Sequence, residues 1–302
     1  MVPGWLRSRI EIEARKFLLA GEGGAFDFRR PEGEPALIDP HSVAWRVFKN
    51  PVTLLIGGIA AVILELAEPR IRSGVWEHTD FRRAPVDRLR RTGLAAMMTV
   101  YGPRSRAEAM IARIGRLHRR VSGITPAGEP YSASDPELLD WVHATAAFGF
   151  LEAYRAYAHP LSAGQASQFY AEGRTAAALY GALNAPDSGA SMAVHLAQMT
   201  PKFEPSPVIF EFLTIMRDAP LPPRGARFAQ AMLIRAGVEI LPLLVRERLG
   251  LGPELGVRPW EKPLVKAMAR FAERTPLAGT PPVEASLRLG LPANFLYGGR
   301  VV

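Results

Sequence analysis

Apolar residues recur at intervals of three and four through segment after segment of this chain, and alternation at period two rarely lasts more than a few residues. The first pattern lines one stripe of a helix, whereas a half-buried strand requires the second. It predicts helices over 5–19, 42–48, 52–66, 86–101, 106–121, 136–157, 163–183, 192–199, 207–217, 226–249 and 260–273. Ser105 ahead of Arg106 and Glu108, Asp135 before Pro136, and Ser162 have the chemistry of helix starts. Gly102 and Gly123 read as stops, and Ser73-Gly74 as a turn. The expected fold is all-α, one large helical domain without internal repeats. Residues 1–40 read as an arm or lid, 40–245 as the core and 246–302 as a helical extension. The Pro- and Gly-rich pieces 30–40, 219–225 and 250–259 are short enough to be loops between packed helices.

The most apolar stretch, 52–64, is interrupted by Gly57-Gly58, is followed by Glu65 and Glu68, and falls short of the roughly 20 residues a bilayer span needs. It reads as a buried core helix. A 48% hydrophobic, 22% charged composition over 302 residues is enough for a sizeable core. The net charge of +8 comes mostly from arginines scattered among carboxylates, with no long basic run or aromatic interleaving. That does not favour a nucleic-acid partner and leaves peripheral contact with an acidic membrane surface compatible with the sequence. The first twenty residues mix charge and apolar positions in a helical rather than a signal-peptide pattern, so the expected location is cytoplasmic.

With no cysteine, disulfides, thiolate ligands and thiol nucleophiles are excluded, and any metal group needs nitrogen or oxygen donors. Arg88 and Thr92 lie one turn apart, so both can face one interhelical space; Arg91 is turned away by about 100° per residue. An inward arginine and hydroxyl suit a carboxylate or a bound oxygen species. His118 shares a stripe with Ile111, Ile114, Leu117 and Val121, which would bury its imidazole. His143, one turn after Leu139, is the rival ligand, and His78 can reach the same space from a helix end. His41, His159 and His195 have no evident role. Glu65 and Glu68 close the apolar helix, where a carboxylate is either a general base with a raised pKa or the point at which the chain meets water. Dinucleotide, phosphate-loop, zinc-protease and serine-hydrolase signatures are absent, as are the paired Glu-x-x-His ligands of di-iron bundles. An arginine, a threonine and two histidines on apolar faces best fit a haem.

Several of these elements occur together in order: Trp45 with segment 51–58, Leu64-Glu65-Leu66-Ala67-Glu68-Pro69, Glu77-His78-Thr79-Asp80-Phe81, Arg88-Leu89-x-x-Thr92 and Tyr101-Gly102. They continue with His118-x-x-Val121-x-Gly123, Tyr131-x-Ala133-x-Asp135-Pro136 and Leu139-x-Trp141-Val142-His143-Ala144. In this order, over roughly residues 40–245, the chain resembles the mpaB and rubber oxygenase family, which includes latex-clearing proteins and a fungal enzyme of mycophenolic-acid biosynthesis. The resemblance implies an all-α fold around haem b, with His118 as the proximal iron ligand and Arg88 and Thr92 lining the pocket. The lysine that caps iron in the latex-clearing branch corresponds to Arg91, whose guanidinium stays protonated and is a poor iron ligand. Glu68 stands where many relatives carry a histidine.

The expected function is thus a haem-dependent oxygenase using dioxygen on a small lipophilic, unsaturated, isoprenoid-like substrate, with oxidative cleavage of a carbon-carbon double bond as the reaction. Arg88, Thr92 and Glu68 are the candidate catalytic residues; His118, Arg88, Thr92, His143 and His78 are the candidate cofactor contacts, with His118 on the metal. One alternative is a helical haem- or lipid-binding sensor or carrier without turnover. Another is a cofactor-free scaffold or membrane-surface protein drawing on the +8 charge and segment 52–64.

Overall fold

The structure, a computed structural model, describes residues 26–220 and 226–298. The helix expected over 5–19 and part of the 219–225 loop lie outside the described residues. The described chain is built from α1 (Val43–Phe48), α2 (Pro51–Ala67), α3 (Pro69–His78), α4 (Pro85–Tyr101), α5 (Arg104–His118), β1 (Ser122–Ile124), β2 (Pro130–Ser132), α6 (Pro136–Ala153) and α7 (Ala163–Tyr180). It continues through α8 (Gly189–Met199), α9 (Pro207–Asp218), α10 (Arg227–Glu239), α11 (Leu243–Arg248), α12 (Glu261–Glu273) and α13 (Pro281–Arg288). The fold class is all-α. Its one sheet among the described residues is the β1–β2 hairpin, paired antiparallel with Gly123 opposite Tyr131.

Local chemistry explains most boundaries. Asn50 caps α2 ahead of Pro51, Asp135 accepts from the Glu137 amide ahead of Pro136, and Ser162 forms a reciprocal capping box with Gln165. Gly181, at φ +90°, ends α7 in the left-handed conformation a side chain disfavours.

Four expectations are corrected. Ser73-Gly74 is not a turn but lies inside α3, where Gly74 leaves room for the Tyr131 ring. The expected helix 226–249 is broken into α10 and α11, because Pro242 has no amide to donate and clashes with a continuing turn. Helix 106–121 begins at Arg104, after Pro103, and stops at His118, so Ser105 is internal and Gly123 is a strand residue. Helix 136–157 gives way at Tyr154–Ala158 to a π-helical turn. The sequence pattern also did not reveal α13.

The core is organised around α2, which buries Ile56, Ile59, Ile63, Leu64 and Leu66 and packs mainly on α6, with α10 and α12 also against it. Glycines set these approaches. A Cβ on Gly57 would stand 2.6 Å from the Gly149 carbonyl oxygen of α6, and one on Gly237 of α10 would stand 2.6 Å from Ile59 Cβ. Trp141 Nε1 donates to the Leu64 carbonyl at 3.3 Å, which ties α6 to the far end of α2. At the molecule's edge, Arg288 of α13 donates to the carbonyls of Phe28 (2.6 Å), Glu34 (2.8 Å) and Tyr101 (2.8 Å), fastening the C-terminal helix to the segment before α1 and to the end of α4. Segment 52–64 is therefore core. Among the described residues no single helix is long and apolar enough to cross a membrane, and α2 and α3 are bent by 109° at their junction.

Gly57 and Gly58 give a paired test. Gly57→Ala is expected to cost about 1–3 kcal/mol through overpacking against α6. Gly58→Ala, whose Cβ meets nothing within 4 Å, is expected to gain about 0.5–1 kcal/mol of helix preference. Urea unfolding midpoints that move together would contradict this packing.

Candidate functional site

α2 presents Leu55, Gly58, Val62 and Glu65 along one stripe, all half-buried, while the Gly57 side is locked against α6. The open space over Gly58 and the carboxyl of Glu65 two turns later lie along the same side of the helix. Burial pushes Glu65 up to about 7, although the Arg88 guanidinium and a hydroxyl hydrogen bond from Thr145 at 3.4 Å oppose the shift. Its carboxyl thus holds or releases a proton near neutral pH.

Arg88, from α4, is the electrostatic hub. Burial lowers its pKa; Glu65 partly offsets that, and the positive charge of Arg91 adds to it. Among the described residues Arg88 makes no salt bridge, and its side chain donates only to Thr92 Oγ1. Thr92 in turn donates to the Arg88 carbonyl at 2.9 Å. The Arg-x-x-x-Thr pair is therefore in contact, but Thr92 is exposed rather than inward-facing, so its hydroxyl steadies the guanidinium. Arg91 is also exposed.

His118 is the last residue of α5 and is half-buried. The stripe expected around it holds only in part, since Ile111 is buried but Leu117 is 51% exposed. Burial and the nearby Arg88 charge hold the imidazole below its ordinary pKa. This outweighs the helix C-terminus, which would favour a cation. Neither ring nitrogen has a hydrogen-bond partner among the described residues, leaving a neutral imidazole with a free lone pair.

The other candidates are placed elsewhere or otherwise engaged. His143 projects from α6 onto Gly173 of α7, where a Cβ would lie 3.4 Å from Nε2. Burial lowers its pKa to about 4 against the pull of Asp140 one turn back, and neither Arg88 nor Glu65 contributes to that shift. His78 is held at the hairpin. Tyr131 donates its hydroxyl proton to Glu77 (2.9 Å) and lies 3.0 Å from His78 Nε2, which leaves Nε2–H as the donor in that pair. Glu68, expected as a candidate catalytic carboxylate, is instead a structural cap. It accepts the Ile71 amide at 2.8 Å and the Arg70 guanidinium at 2.6 Å, and Arg70 continues to Glu137 at 2.7 Å. The carboxylate that faces Arg88 is Glu65. Its sequence signal was its position on the Leu55–Val62 stripe, whereas Glu68 directly before Pro69 has the signature of a helix N-cap. Thr145, Gly58 and Gly173 carried no sequence signal of their own.

Among the described residues, no three His, Asp or Glu side chains converge on a point that could hold a metal ion. His118 offers a free imidazole near the Arg88 guanidinium, which suits a group that brings most of its own ligands and takes a nitrogen donor from the protein.

Fold and site together define a helical protein in which a half-buried guanidinium with no carboxylate bound to it acts on a carboxyl that titrates near neutral pH and on an imidazole held toward its neutral form. Residues 45–274 match the family described as "ER-bound oxygenase mpaB/B'/Rubber oxygenase, catalytic domain", and the chain belongs to that family, which is one of oxygenases. The match runs beyond residue 245, the expected end of the family-like core, through α12. No curated protein and no solved structure matches the chain.

The Glu65 shift has a definite sign. An acid whose pKa is raised by folding lowers stability as pH rises from its ordinary value, 4.5, to about 7, because the unfolded chain ionises first. Glu65→Gln is therefore expected to unfold like the parent protein below pH 4.5. Above neutrality it should be more stable than the parent by at most about 3 kcal/mol, as read from denaturant midpoints at acid and alkaline pH. A variant less stable than its parent at pH 8 would show that Glu65 is an ion-paired carboxylate.

Proposed function

We propose that this protein is a haem b-dependent oxygenase that acts on a small lipophilic, unsaturated substrate and cleaves a carbon-carbon double bond with dioxygen. The observation that carries the reading is the free, neutral imidazole of His118 beside Arg88, a cation with no carboxylate bound to it. Both groups are half-buried, and a haem would give each a partner, iron for the imidazole and anionic or oxygen groups for the guanidinium. When bound, the haem supplies the redox chemistry that activates dioxygen.

The chain's own residues supply the rest. His118 would hold the haem iron through its imidazole nitrogen. Its low proton affinity keeps the lone pair available at neutral pH. Arg88, steadied by Thr92, offers a fixed positive charge where negative charge accumulates. Glu65 Oε1 and Oε2, near neutral in proton affinity and beside that charge, can accept a proton from a substrate carbon or return one. Leu55, Val62 and the space over Gly58 give an apolar approach to Glu65, suited to hydrocarbon rather than to a polar substrate. The proposed location is cytoplasmic.

The absorption spectrum of purified protein, before and after dithionite, tests the cofactor; oxygen uptake with isoprenoid-like olefins tests the reaction. A Soret band at one haem per chain and olefin-dependent uptake are expected, whereas a colourless protein that takes up no added hemin would refute the reading. A haem-loaded protein with no uptake on any olefin would point to a carrier or sensor. His118→Ala should abolish haem retention while His143→Ala leaves it largely intact; the reverse would transfer the ligand role to His143. Arg88→Ala should weaken haem retention or turnover with the helical circular dichroism unchanged, and parent-like behaviour would remove it from the site.

A further inference from the structure

We propose that the outer face of α12 docks the protein peripherally on an anionic lipid bilayer. Trp260, at the cap of α12, and Leu264 and Phe271 on the helix fall within one narrow arc at about 100° per residue. All three are exposed, at 49%, 44% and 39%. The Trp260 ring stacks on Phe228 of α10, itself 59% exposed, with ring centroids 5.9 Å apart at 15°. Two stacked aromatics and two further large apolar side chains on one surface exceed the scattered exposure ordinary for a monomer.

The charges around them identify the occupant. Both carboxylates of α12 are turned inward and neutralised. Glu261 takes the Arg235 guanidinium, with Nε at 2.8 Å, and Glu273 takes Lys49 at 2.8 Å and the Tyr154 hydroxyl at 2.6 Å. The exposed charges of the helix are cationic: Lys262, Arg270 and Arg274, none of which has an ion-pair partner among the described residues. Arg274 and Arg270 border the aromatic and aliphatic stripe along one side, whereas Lys262 lies across the helix from it; a stripe edged by free cations complements the boundary of an anionic bilayer, where tryptophan sits among headgroups and basic side chains meet lipid phosphates. A two-fold contact with a second copy would bring the same cations against one another. Segment 52–64, which the fold has buried, takes no part in this surface, and no cofactor is needed to form it.

The test is co-sedimentation of the full chain with phosphatidylcholine vesicles, with and without phosphatidylglycerol, at low and high salt. Binding is expected only with phosphatidylglycerol, to weaken with salt, and to be accompanied by a blue shift of tryptophan emission. The double variant Leu264→Ser/Phe271→Ser and the charge variant Arg270→Glu/Arg274→Glu should each lose binding by on the order of tenfold or more. Both should keep the parent melting temperature, since the side chains are exposed. Parent-like vesicle binding by both variants would overturn the proposal, as would failure of the parent to bind phosphatidylglycerol vesicles. A parent dimer by light scattering that the serine variant disperses, without any vesicle binding, would assign the face to a second copy instead.

Discussion

Everything in this molecule is positioned from the close backbone contact of α2 with its neighbours. Where Gly57 meets Gly149, and where Gly237 meets Ile59, there is no room for a further carbon. Helices in such contact gain dispersion along their whole length and cannot slide without collision. The consequence is a preferred rotation of α2: its Gly57 side belongs to α6, and its Gly58 side is left open. Glu65 emerges on that open side because it follows Gly58 by two turns. The same rotation leaves Glu68 at the junction with α3, where Pro69 opens the next helix and the carboxylate is taken up as its cap.

The polar groups that hold the elements together differ from those around Arg88 in how they are partnered. Arg288 has three carbonyls, Glu261 has Arg235 and a backbone amide, Glu273 has Lys49, Tyr154 and Asn50, and Glu68 has Arg70 and the Ile71 amide. These groups hold elements together, and each is satisfied. Around Arg88 the satisfaction is missing. Desolvation raises Glu65 and lowers both Arg88 and His118; the attraction between Glu65 and Arg88 is too weak to restore ordinary values, and the Arg88 charge pushes His118 further down. Groups left in this state are costly for the fold alone and make sense as receptors for a ligand or as proton carriers.

The outside of the molecule repeats the division on α12. Its carboxylates are taken up by Lys49 and Arg235, and Arg270 and Arg274 are left facing solvent near Trp260 and Phe271. A lipophilic substrate partitions into bilayers, so a helix that seats the protein on a membrane is compatible with an interior that accepts hydrocarbon. The two readings rest on separate residues.

Period-three-and-four spacing, N-cap residues and helix-opening prolines are local properties, so the chain by itself determined the all-α class, most helix starts and the buried character of 52–64. It also displayed Arg88 and His118 within ordered motifs. What it did not determine was which polar side chains remain unpartnered, because a partner distant in sequence leaves no local trace. Glu65 and Glu68 are three residues apart on the same run, and only the assembled structure brings the Arg88 charge to bear on one while Arg70 takes the other. His78 likewise looked as available as His118 until the β1–β2 hairpin brought Tyr131 to it. Thr92, one turn from Arg88 on any helical wheel, proved exposed because the depth of burial depends on what covers a face. Local spacing decides which residues share a face of a helix; desolvation and pairing, which decide their chemistry, belong to the assembled structure.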